Sequence, residues 1–236
     1  MGATAPLRGA SEPVQIMLGN HGEEETVVPM LRGISHAVAF WLALIAACSL
    51  VIVAPASARA PALVYGLGLC ALFAISALYH RWRWDRRWRP LLRRLDHSTI
   101  YLFIAASCTP LGMLLLTGPS RTIVVLGVWC SALGGVLLSV AWITAPRVLV
   151  SASYLAVGCV AIAALPQLID RLPAAPIVLL GLGAVLYCVG ACVYAFKRPD
   201  PWPSTFGFHE VFHSLVILAA ASHFAAIAGW IIPSAS

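Results

Sequence analysis

His209 and His213 lie four residues apart in an apolar stretch. On a helix that spacing puts both imidazoles on one face, where they can reach a single ion. Ser76 and His80 repeat the spacing elsewhere, so Ser76 sits one turn deeper than His80 on the same face of its helix. Three imidazoles with a fourth position open make the usual catalytic zinc arrangement, and nitrogen ligands of borderline softness suit Zn²⁺ over Mg²⁺ or Ca²⁺. With His80, His209 and His213 as the ligands, Asp96 is the residue expected to hold the bound water. The run His209-Glu210-Val211-Phe212-His213 also matches H-E-x-x-H, the zinc-protease pattern in which Glu is the general base. That match is short, and an intramembrane metalloprotease would also offer an aspartate ligand from a later helix, whereas no apolar segment follows this one.

Each of these residues has a structural alternative. A histidine at a helix end is often interfacial or hydrogen-bonded, and Asp96 could cap a helix or pair with Arg93 or Arg94. His36 begins another apolar segment and is the best candidate for a supporting or substitute ligand. His97 points about 100° away from Asp96 around a helix, and His223 lies more than two turns deeper than His213. For His36, His97 and His223 the favoured reading is hydrogen bonding between helices. His21 falls in the polar start of the chain.

The elements that carry these residues must be membrane helices. The chain is 61% hydrophobic and 10% charged, far from the roughly 25% charged content of soluble domains. A span needs about 20 mostly apolar residues, so 236 residues hold several spans and no second, soluble domain. Apolar runs broken by Pro, Gly or charge predict an all-α bundle of seven transmembrane helices over residues 34–54, 62–81, 95–116, 122–143, 148–165, 176–196 and 207–232. Residues 1–33 form a tail with neither the basic start nor the apolar core of a signal peptide, so it is expected to stay on the protein. All seven cysteines fall in or beside apolar runs, as small buried hydrophobes and not as a disulfide framework. The formal charge of +6 comes from arginines beside apolar segments, where membrane orientation explains them, and carries no nucleic-acid signal. No internal repeat of the kind found in many transporters is visible.

Cytoplasmic loops carry an excess of Lys and Arg. With the N-terminus in the cytosol, twelve of the 15 basic residues lie inside and only Arg59, Arg121 and Arg171 outside, which puts the C-terminus on the extracytosolic side. His80 then ends the second helix, Asp96 begins the third, and His209 and His213 occupy the first turns of the seventh, all at one depth near the cytosol. Ionisable groups in spans cost about 2.5 to 3.5 kcal/mol each near a helix centre, so their convergence calls for a function.

Three stretches together are more specific than any one motif: Ser76-Ala77-Leu78-Tyr79-His80; Arg94-Leu95-Asp96-His97-Ser98-Thr99-Ile100-Tyr101 running on to Thr109-Pro110; and Phe206-Gly207-Phe208-His209-Glu210-Val211-Phe212-His213. The chain resembles the haemolysin III family, the bacterial branch of the progestin and adipoQ receptor superfamily, over about residues 33 to 232, with Tyr187, Gly190, Tyr194 and Lys197-Arg198-Pro199 adding to the likeness. The resemblance implies seven helices with a cytosolic N-terminus and a zinc ion near the cytosolic face. Its ligands would be His80, His209 and His213, with Asp96 holding the water and Ser76 one turn from the first histidine. An acidic residue at the position of Glu210 is not required throughout the superfamily. Two stretches depart from the family pattern: Arg32-Gly33-Ile34-Ser35 ahead of His36, and Ser107-Cys108-Thr109-Pro110.

Three functions follow from this reading. In the first, the protein is a zinc-dependent hydrolase of a lipid amide or ester, with Asp96 as base and Ser76 hydrogen-bonding the water or the developing oxyanion. The lipid, or a fatty-acid ligand, would enter between helices. In the second, zinc clamps the second, third and seventh helices in a sensor or regulator of membrane state. The third is a pore former, which should show a polar stripe through the full membrane depth; the polar residues cluster at one end instead.

Overall fold

The computed structural model describes residues 29–235. Most of the expected 1–33 tail, His21 included, lies outside the described residues. Among the described residues seven helices are long and apolar enough to cross a membrane: Ile34–Val53, Ala56–Arg81, Arg89–Leu115, Gly118–Ala141, Arg147–Arg171, Ala174–Phe196 and Phe208–Ala235. They are called the first to the seventh helix below. Large apolar side chains such as Trp41, Ile45, Leu67, Leu137 and Val185 point outward, as expected for helices solvated by lipid with their backbone groups paired internally.

Several helices begin earlier than the breaks in the sequence predict. The second begins with a 3₁₀ turn at Ala56, the third starts at Arg89 and the fourth at Gly118. The fifth does not stop at 165 but continues through the 3₁₀ segment Val160–Ala164 into Leu165–Arg171. Prolines that read as breaks, and for the third helix the basic run from Arg81 to Arg94, are the reason. Pro61, Pro90, Pro119 and Pro166 all sit in the first turn of a helical segment, where an N–H would have no acceptor and its loss is harmless. Arg89, Arg93 and Arg94 therefore belong to the third helix, and their long stems can carry the charge to the interface.

The bundle encloses the site-bearing helices most. In the third helix 67% of the most apolar window is buried, against 44% in the second and seventh and 22–28% in the rest. Tyr101 of the third helix is fully buried, fits against Gly135 of the fourth where any side chain would clash with its ring, and bonds through its hydroxyl to Ser153 Oγ at 2.6 Å on the fifth. Pro110 removes a backbone donor inside the third helix, which widens into a π turn over Leu111–Leu115.

At the end that carries the histidines, the lead into the first helix is tied to the loop between the sixth and seventh. Met30 N–H donates to the Ser204 carbonyl (3.0 Å) and Leu31 N–H to Thr205 (3.2 Å). Gly33 then adopts a left-handed conformation (φ 75°), and a Cβ built on it would lie 2.8 Å from His80 Cβ. Glycine meets both demands: the positive φ and the close approach of the first helix to His80.

Candidate metal centre

The second helix supplies His80 from its last turn, and the seventh supplies His209 and His213 from its first two. The nearest possible ligand atoms of these three residues all lie within 4.8 Å of one another. His80 Nε2 and His209 Nε2 are 3.1 Å apart, close to the separation of about 3.3 Å that two nitrogens 2.0–2.1 Å from a tetrahedral zinc would adopt. His213 Nδ1 is buried with no hydrogen-bond partner, and buried polar atoms of this kind call for an ion, a water or a ligand. These residues fit a zinc ion in atom type, spacing and unmet valence.

Asp96 lies beside them, with Oδ2 3.6 Å from His80 Nε2. The alternative in which it caps the third helix fails, because the helix starts at Arg89 and Asp96 is inside it. Among the described residues its only ion-pair contact is His80, not Arg93 or Arg94. Ser76 is buried one turn from His80.

Glu210 is held away from acid–base work. Its Oε2 accepts the Gly207 N–H (2.9 Å), closing the start of the seventh helix, and its Oε1 is 2.7 Å from Arg32 Nε. At 2% exposure the carboxylate is enclosed with its counter-charge. Burial lowers the pKa of Arg32 and the charge of Glu210 opposes that shift. The H-E-x-x-H match thus describes a helix start tied to the N-terminal lead. Asp200 makes the neighbouring contact, accepting the Phe208 N–H at 2.7 Å.

Beneath the histidines a cavity of about 610 Å³ opens into the bundle, within the range of small-molecule sites. His36, Ser76, Asp96, His209 and His213 form its polar end, and Leu72, Phe103, Leu111, Leu165, Ile177 and Leu180 are among its apolar walls. It reaches His223, ten residues beyond His213 on the seventh helix, a depth of about 15 Å at 1.5 Å per residue. The three clustered imidazoles, Ser76 and Asp96 come from the same stretches that carry the sequence resemblance.

Residues 25–224 match the protein family described as haemolysin-III related. The chain belongs to this family. It is similar to Hemolysin-3 of Bacillus cereus, 29% identical over 212 residues that cover 87% of this chain and 92% of that one. It is also similar to a Hemolysin-3 homolog of Bacillus subtilis (strain 168), 30% identical over 161 residues, 68% of this chain and 72% of the relative. The human Monocyte to macrophage differentiation factor is 31% identical over 170 residues, 70% of this chain and 67% of the relative. The haemolysin III chain described here is accordingly a multi-pass membrane protein.

The remaining histidines of this haemolysin III protein divide. His223 Nε2 bonds the Leu180 carbonyl of the sixth helix at 3.1 Å, the interhelical role expected of it. His97 lines the cavity next to Asp96, with its ring 6.4 Å from that of Tyr194, although it was expected to face away. His36 makes no interhelical hydrogen bond; its ring lies flat on that of His213. Two residues escaped the sequence reading. Arg32 stands out in the sequence only as a basic residue and as part of the departure ahead of His36, and nothing in its spacing marks it as the partner of Glu210. Arg147, weighed only for topology, lays its guanidinium over the Tyr194 and Phe208 rings at 5.3 and 5.4 Å, next to His209.

Proposed function

We propose that this haemolysin III family member is a zinc-dependent hydrolase of lipid amides or esters. Its site would lie near the cytosolic face, with the N-terminus in the cytosol and the C-terminus outside. The observation that carries the proposal is the cavity, whose polar end holds two of the zinc ligands, Asp96 and Ser76, and whose walls are apolar over about 15 Å. An acyl chain suits those walls, and its polar end would then sit among the histidines.

His80, His209 and His213 would hold the ion. A zinc ion bound there supplies Lewis acidity, lowering the pKa of water from 15.7 to about 7. The Asp96 carboxylate accepts the water's proton on Oδ2 and then delivers it to the leaving amine or alkoxide. The Ser76 hydroxyl donates to the oxygen that gains charge. The buried third helix fixes Asp96, and Gly33 lets the first helix close over His80. The apolar walls align the chain and keep bulk water from the reacting carbonyl.

Fatty-acid release from a panel of lipid amides and esters in detergent tests this reading. Release that stops on chelation and returns with zinc is expected. No release from any of them, with chelation lowering only thermal stability, would leave zinc as a clamp on the three most enclosed helices. The orientation has its own check. A reporter fused after Ser236 should read as extracytosolic and one placed within Arg86 to Arg89 as cytosolic, because of the charge split; a cytosolic C-terminus would reverse the proposed orientation.

A further inference from the structure

His36 is 2% exposed and sits in the first turn of the first helix, which supplies none of the three clustered imidazoles. Its ring stacks on His213 with centroids 3.8 Å apart and planes within 7°, and Phe73 of the second helix meets it edge-on at 5.1 Å. Neither ring nitrogen has a hydrogen-bond partner, yet the residue lines the cavity together with Asp96, Ser76 and His213.

Two simple roles do not account for this. Each nitrogen of His213 offers its lone pair in the plane of its own ring, so an ion held there would be bonded in that plane. The parallel His36 ring is displaced from that plane by a van der Waals layer, too far for the 2.0–2.1 Å bond of a nitrogen ligand. His36 is therefore not a substitute ligand in this arrangement. Packing alone is also insufficient, since a phenyl ring would stack as well without burying two polar atoms unpaired. A neutral imidazole carries one N–H donor and one acceptor, and both are uncommitted.

We propose that His36 serves the site with both parts of its ring: the face holds His213 at the angle the metal needs, and the edge hydrogen-bonds the polar group of the lipid bound there. The inference rests on the zinc-hydrolase reading of the site. It makes His36 a positioning residue for the metal and a binding residue for the lipid head.

The two roles separate by substitution in the full-length protein. His36→Phe keeps a ring on His213 and removes the nitrogens; His36→Gln keeps a donor and an acceptor and removes the ring. Zinc affinity is measured by chelator competition, coordination by the visible absorption of the Co²⁺-loaded protein, and ligand binding with palmitoyl hydroxamate. The Phe variant is expected to keep zinc affinity and the Co²⁺ spectrum while binding the hydroxamate about tenfold more weakly, the loss of one hydrogen bond. The Gln variant should lose about tenfold or more in zinc affinity, as when a residue supporting a ligand is removed. Once saturated with zinc it should bind the hydroxamate better than the Phe variant does. If Phe loses zinc as severely as Gln, or changes the Co²⁺ spectrum, an imidazole nitrogen is a ligand and the proposal falls. It falls equally if Phe binds the hydroxamate as the parent does. A parent that holds no zinc overturns the site itself, a different result from either of these.

Discussion

Purified protein carrying His209→Ala and His213→Ala together is expected to hold no zinc, against about one ion per chain in the parent. The two histidines are neighbours on one helical face, and with His80 their ligand atoms span no more than 4.8 Å. Removing one leaves two nitrogens and the Asp96 carboxylate, 3.6 Å from His80, as a weaker but workable set. Removing both leaves one imidazole and that carboxylate. Structural zinc sites with four protein ligands bind the ion with about 10–16 kcal/mol, several kcal/mol per ligand, so losing two of three ligands here should cost several powers of ten in affinity. His213 is buried against His36, and its truncation also leaves a void that lowers stability. A companion pair, His209→Gln with His213→Gln, fills more of that space without restoring imidazole. Metal analysis on variants that elute as the parent does and retain its helicity is the measurement. Full zinc content in a folded double variant would sink the site.

The residues of this site were legible in the sequence because polar groups are so scarce in the spans. With 10% charged residues in the whole chain, a counted set of apolar segments was enough to bring His80, Asp96, His209 and His213 to one end. What could not be read is how each helix is rotated about its axis and which side chains meet across the gaps. The flat contact of His36 on His213 is such a fact. So is the Arg32–Glu210 pair, which changes the meaning of the acidic residue in H-E-x-x-H from a base to an anchor. Helix starts differ from the sequence expectation for local reasons: a proline in a first turn and a proline in a break look alike unless the backbone is seen, and the arginines ahead of residue 95 read as a loop although Arg89, Arg93 and Arg94 are helical. The departure Arg32-Gly33-Ile34-Ser35 proves to be the segment that closes over the site, through Arg32 on Glu210 and Gly33 beside His80.

Asp96→Asn is expected to keep zinc and fold yet lower lipid hydrolysis by about 10²- to 10⁴-fold, the usual contribution of a positioned general base. The amide matches the carboxylate in shape, so the third helix and its packing are undisturbed, but it cannot accept a proton at Oδ2. His80→Ala makes the contrasting loss. It removes a ligand nitrogen, so zinc affinity falls first and hydrolysis follows only because the ion is gone, with partial recovery at high zinc. A purely structural ion predicts a different pattern, in which neither variant has turnover to lose and both change thermal stability alone. Zinc content, melting with and without chelator, and fatty-acid release on the same preparations separate these cases. Glu210, between His209 and His213 in the chain, is the next acid to consider, and it is 2% exposed, bonded to Gly207 N–H and paired with Arg32. To act as base it would have to give up both contacts, which also fasten the start of the seventh helix. Undiminished hydrolysis by Asp96→Asn would therefore do more than relieve Asp96 of the role. It would make Glu210 the residue to test, and if Glu210→Gln then loses activity, the Arg32–Glu210 pair must open during turnover.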